Sequence, residues 1–135
     1  MIHVIMGLKG SGKTKKMIDS INEALASANG DVVCIEYGKH LTYDINYRVR
    51  LVDSKEYGIV NSDMLKGLLS GLHAGNFDIT HVYIDNLYKT IGTDRANGEA
   101  FVAWCAAFAE ANNMNITITI SDDPALASEA MKQYL

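Results

Sequence analysis

Cysteine, proline and net positive charge are scarce in this chain, and each scarcity removes a class of answer. The two cysteines, Cys34 and Cys105, stand far apart and form neither a C-x-x-C pair nor a metal-ligand spacing. That excludes a disulfide framework, and both thiols are expected to be buried and reduced. The four histidines, His3, His40, His73 and His81, also lack ligand spacing, so zinc is not expected. With one proline, Pro124, and no low-complexity run, nothing marks a linker. Lys+Arg number 12 against 16 Asp+Glu, a formal net charge of -4. Sequence-blind nucleic-acid binding needs a basic surface, so it is not indicated. No apolar run approaches a membrane span. The opening Met1-Ile2-His3-Val4-Ile5-Met6-Gly7 lacks the basic start and long apolar core of a signal peptide. A cytoplasmic protein with no membrane partner is expected.

What is present suits a packed domain. Over 135 residues, 48% are hydrophobic and 21% charged, enough apolar surface for one self-sufficient domain covering 1–135. Short apolar runs read as buried strands at Ile2–Met6, Asp31–Tyr37, Thr80–Asp85 and Asn115–Ser121. Helical stripes follow at Met17, Ile18, Ile21, Leu25 and Ala28, then at Met64, Leu65, Leu68, Leu69 and Leu72. A third carries Phe101, Val102, Cys105, Phe108 and Ala109, with Trp104 off that stripe at an edge or a partner surface. Between Thr42 and Asp53, Tyr43, Ile45, Tyr47, Val49 and Leu51 alternate with polar residues. This predicts a half-exposed strand at a sheet edge or in a hairpin. Asp123 and Pro124 are expected to open a last helix toward Leu135. Strands alternating with helices call for an α/β fold, a three-layer sandwich with a mostly parallel sheet.

One segment carries chemistry. Gly7-Leu8-Lys9-Gly10-Ser11-Gly12-Lys13-Thr14 fits G-x-x-x-x-G-K-[ST] at every position, and it lies between a predicted strand and a predicted helix. Phosphates must be held without a bulky wall, and glycines let backbone N–H groups wrap close around them. The helix beginning at Lys13 adds unsatisfied amides and a positive dipole end. Lys13 can reach the β and γ phosphates, and Thr14 can offer its hydroxyl to Mg²⁺. A nucleoside triphosphate with Mg²⁺ is the expected ligand.

The loop resembles that of the P-loop NTPase superfamily. The resemblance implies the P-loop fold, with the site at the ends of parallel strands. It also implies a metal-holding acid at the tip of a second apolar strand, which Val82-Tyr83-Ile84-Asp85 supplies as Asp85. Many ATPases of the superfamily place Glu after that Asp; here the residue is Asn86, which can orient water but cannot take its proton at neutral pH. In the RecA-like branch the catalytic Glu comes from a neighbouring strand, and Glu36, near the C-terminal tip of the run Asp31–Tyr37, is the candidate the resemblance offers. Ser121 could touch the γ-phosphate from another strand end. The whole chain is also similar to a reduced thymidine kinase core. The run Phe77–Asp85 is similar to that family's second acidic motif, with Asn86 where the family has its catalytic Glu, while its zinc ribbon and substrate lasso are missing. No N-K-x-D run is present to read guanine, which leans the base to adenine.

Three functions follow as expectations: a Mg²⁺–ATP hydrolase that is slow or partner-activated, a nucleoside or small-molecule kinase, and a nucleotide-gated binding module. Lys89 and Arg95 are further candidates for phosphate contacts, within the chain or across a self-association interface. Lys39, His40, Tyr43, Tyr47, Arg48, Arg50 and Tyr57 mix cations with aromatics. They read as an edge strand whose charges discourage edge pairing.

Overall fold

The computed structural model describes residues 1–27 and 29–135. Ala28, expected on the first helical stripe, lies outside the described residues. Strand β1 (Ile2–Gly7) leads into helix α1 (Lys13–Ser27), followed by β2 (Asp31–Glu36), β3 (Arg50–Asp53) and α2 (Ser62–Gly75). Next come β4 (Ile79–Asp85), α3 (Leu87–Ile91), α4 (Arg95–Ala111) and β5 (Asn115–Ser121). A 3₁₀ turn at Pro124–Leu126 and helix α5 (Glu129–Lys132) complete the order. The strands form one sheet in the order β1-β5-β4-β2-β3, and every pairing is parallel.

The layers follow from alternation along the strands. Val32, Cys34 and Tyr83 face α1 and pack on Met17, Ile21 and Ala24. Val33, Ile35, Val82, Ile84, Ile116, Ile118 and Ile120 face the other way, toward Leu65, Leu69, Phe101, Val102 and Cys105 of α2 and α4. A parallel sheet covered on both faces buries successive residues, which is why these runs read as continuously apolar. Both cysteines are free and buried, and burial pushes their thiols well above the usual range. No described helix is long and apolar enough to cross a membrane.

Three local expectations are corrected. Only Arg50–Asp53 of the alternating stretch is strand, and it pairs parallel to β2 at the sheet edge. The preceding residues make turns, with Asp44 and Ile45 N–H donating to the Leu41 carbonyl and Val49 N–H to that of Asn46. The buried residues there are Leu41, Ile45 and Val49, four apart rather than two, and they cover the α1 face of the sheet. Tyr43 and Tyr47 point fully into solvent. The last helix is split. Asp123 caps a single 3₁₀ turn, after which Ser128 caps α5 by accepting from Met131 N–H. Trp104 is half-buried at the edge of the core, as expected, but it is in line with the phenylalanines rather than off their stripe, its ring stacked on Phe108 at 4.9 Å and on Phe101 at 6.3 Å; the i+3 and i+4 spacings bring the three together.

The connections place a crevice. The chain leaves β1 toward α1 on one face and leaves β4 toward α3 and α4 on the other, with β5 between them. In open α/β sheets ligands sit beyond the carboxyl ends of strands where connections diverge in this way.

Candidate functional site

The loop after β1 is shaped by its glycines. Gly10 and Gly12 have φ of +82° and +86°, conformations that L side chains rarely adopt and from which anion-binding concavities are built. A Cβ on Gly7 would collide with the Ser11 hydroxyl. Ser11 N–H donates to the Leu8 carbonyl at 3.0 Å, and Lys16 N–H to that of Gly12 at 3.1 Å, closing the bend and opening α1. Lys13 is only 9% exposed, and its ammonium donates to the Leu8 carbonyl at 3.0 Å. Burial lowers its pKa, while the negative charge of Asp85 opposes that shift.

Carboxylates from three adjacent strands share one row. Asp85 is in register with Glu36, and Glu36 with Asp53, so all three project from the same face. Asp53 accepts from the amides of Gly38 at 2.7 Å and Lys55 at 2.9 Å. Glu36, 3% exposed, accepts from His40 N–H and, through both oxygens, from Leu41 N–H at 3.2 Å. Burial raises the Glu36 pKa; the amides of His40 and Leu41 and the charge of His40 pull the other way, and Asp85 adds to the rise. Asp85 accepts from the Thr119 hydroxyl, which donates to Oδ1. Among the described residues, no hydrogen bond engages Asp85 Oδ2 or the Thr14 hydroxyl.

The strand tips beyond this row are tied to the loop. Ser121 is in register with Gly7, and Asp122 N–H donates to the Gly7 carbonyl at 3.1 Å. Asn86 donates through Nδ2 to Ser121 Oγ at 2.5 Å and accepts from Tyr88 N–H, capping α3. Arg95 grips Asp122 with two hydrogen bonds, 2.6 and 3.0 Å, which holds the Asp122 carboxyl below its usual range.

These parts enclose a cavity of about 630 Å³ lined by Lys9, Gly10, Gly12, Lys13, Thr14, Lys15, Asp85, Asn86, Tyr88, Lys89, Thr93 and Ser121. Four lysines and one carboxylate line it, in a chain whose formal net charge is -4. Of the loop residues, Gly7 is buried beneath, while Leu8 and Ser11 are exposed and do not line the cavity. Glu36 is not brought to the cavity wall, and Arg95 lies in an adjoining recess with Asp122. Asp44, Asp53 and Asp78 also stand away from it. Sequence reasoning missed Lys15, Tyr88, Thr93 and Thr119. Lys15 was signalled by adjacency to Thr14; Thr119 gave no signal, because threonine in an apolar strand also reads as a β-former.

Among the described residues, no three His, Cys, Asp or Glu side chains converge on a metal position. The donor set present, one carboxylate and one hydroxyl, fits Mg²⁺, which commonly takes one or two protein oxygens and fills its octahedron with phosphate oxygens and waters. No protein-family model matches the chain, and no curated protein matches it.

Proposed function

We propose that this chain is a P-loop protein, with the three-layer P-loop fold, that binds Mg²⁺–ATP and hydrolyses it slowly on its own. The observation that carries this is the convergence of the glycine loop, four lysines and one strand-tip carboxylate on a single cavity. Lys9, Lys13 and Lys89 suit a polyphosphate, which carries about four negative charges, while Lys15 is paired with Asp19. Thr14 and Asp85 are the residues that would hold Mg²⁺. When bound, the ion neutralises charge on the β and γ phosphate oxygens. Adenine is favoured over guanine because no N-K-x-D run is present.

The slowness follows from what the cavity wall lacks. Among the described residues, the one carboxylate lining it is Asp85. The Asn86 amide is engaged at both ends, and Glu36 is held by backbone amides. Neither side chain is placed to position an attacking water. Faster turnover would require a group from a protein partner or a second copy.

Calorimetry with ATP and Mg²⁺, together with a phosphate-release assay, tests the proposal. Saturable binding, a raised melting temperature and release slower than about one per second are expected. If saturating Mg²⁺–ATP neither binds nor shifts melting, the proposal fails. Binding with no phosphate release, even at high protein concentration, would leave a nucleotide-gated binding module.

One observation favours a second reading, a small-molecule kinase. A recess of about 590 Å³ adjoins the phosphate cavity and shares Tyr88, Thr93 and Ser121 with it. An acceptor seated there would lie next to the phosphates. Incubating nucleosides with γ-labelled ATP would yield a labelled product under this reading, and its absence removes it.

A further inference from the structure

We infer that Thr119 is a positioning residue that sets the metal-holding geometry of Asp85. This rests on the Mg²⁺–ATP reading above and adds a residue to it.

Thr119 lies near the end of β5, the strand inserted between the loop-bearing β1 and the Asp85-bearing β4. It is in register with Ile5 on one side. On the other, it stands one residue beyond the paired Ile84 and Ile118, level with Asp85. Its side chain is fully buried, with 0% exposure. A hydroxyl removed from water there costs stability unless it is bonded. Valine would serve equally well as a β-former of the same shape, so strand propensity alone does not account for the hydroxyl. Among the described residues the hydroxyl has one use, donating to Asp85 Oδ1 at 2.5 Å, within the range of an O–H donor on a carboxylate.

The consequence for Asp85 is directional. Glu36 beside it and Asp53 beyond are held by backbone amides, whereas among the described residues the one hydrogen bond to the Asp85 carboxylate comes from a side chain. A hydrogen bond to Oδ1 restrains rotation of the carboxylate and leaves Oδ2 as the oxygen that would meet a cation. Partners of metal ligands that hold them in this way commonly change metal affinity or activity by about ten- to a hundredfold when removed.

The test is ATP affinity measured by calorimetry in excess Mg²⁺ and again in EDTA, with half-saturating Mg²⁺ as a separate reading. For Thr119→Val, affinity for Mg²⁺–ATP is expected to fall about tenfold and half-saturating Mg²⁺ to rise about tenfold. Affinity in EDTA should stay at the wild-type value. Thr119→Ser, which keeps the hydroxyl, should restore the Mg²⁺ response. An equal fall with and without Mg²⁺, no fall at all, or a serine variant no better than valine each overturns the inference. Should the valine variant not fold, Thr119→Ala against Thr119→Ser gives the same comparison. Wild-type protein that binds no ATP in either condition instead removes the Mg²⁺–ATP reading, and this inference with it.

Discussion

Asp85 and Glu36 are neighbours in one row on one face of one sheet, yet they have opposite circumstances. Both end a buried apolar strand, and both would serve as a strand-tip acid. The chain after Glu36 turns back over its own strand end, and the amides of His40 and Leu41 occupy the carboxylate. The chain after Asp85 moves away into α3, and Asp85 lines the cavity beside the glycine loop, with Oδ1 accepting from Thr119. The difference lies in the backbone that follows each acid rather than in the acid itself. One carboxylate anchors a loop; the other lines the cavity and is the one proposed to hold Mg²⁺.

That contrast can be broken experimentally. The largest effect should come from Lys13→Ala, which removes the buried cation whose charge interacts with Asp85. ATP affinity is expected to fall about a hundredfold, as for a lost charge-assisted phosphate contact; unchanged calorimetric affinity would erase the ligand half of the comparison. Glu36→Ala comes next. It strands the His40 and Leu41 amides, so urea unfolding should show a loss of about 2 kcal/mol, with ATP affinity within about twofold of wild type. A variant with intact stability but lost affinity would reverse the two roles. Asp85→Asn should do the converse. Folding stability should change by less than about 1 kcal/mol, while the affinity gained on adding Mg²⁺ drops about tenfold.

The smallest effect concerns pH. Burial raises the folded-state pKa of Glu36 above its unfolded value. The folded chain therefore holds its proton more tightly than the unfolded chain does. The stability this contributes is complete below the ordinary glutamate range and is lost as pH rises through the raised value. Relative to wild type, Glu36→Gln should gain stability as pH rises from acid toward neutral. Parallel curves from urea titrations across that span would show that Glu36 does not titrate abnormally.

Much of the fold was legible because both faces of the sheet are covered. Runs such as Asp31–Glu36 and Asn115–Ser121 could be read as strands from composition alone. The bend at residues 7–14 was legible because its geometry demands particular residues at fixed spacing, above all glycine at the positive-φ positions 10 and 12. Residues 42–49 misled because tyrosines and aliphatics alternated there. The Leu41, Ile45 and Val49 spacing was the informative one, and it becomes visible only once the segment is known to cover α1's face. Helix α3, with five residues, is too short to carry a period. The capture of Glu36 depended on where a turn-rich segment returns, which no local pattern encodes.

The Asn86 amide has a consequence for proton placement. Tyr88 N–H points at its oxygen, and its nitrogen points at Ser121 Oγ. Because the amide supplies the hydrogen for that contact, the serine keeps its own. The three groups form a wire of aligned dipoles in which each bond polarises the next, ending in a hydroxyl that can still donate at the cavity wall. An aspartate at position 86 would draw the serine hydrogen to itself and turn the wire around.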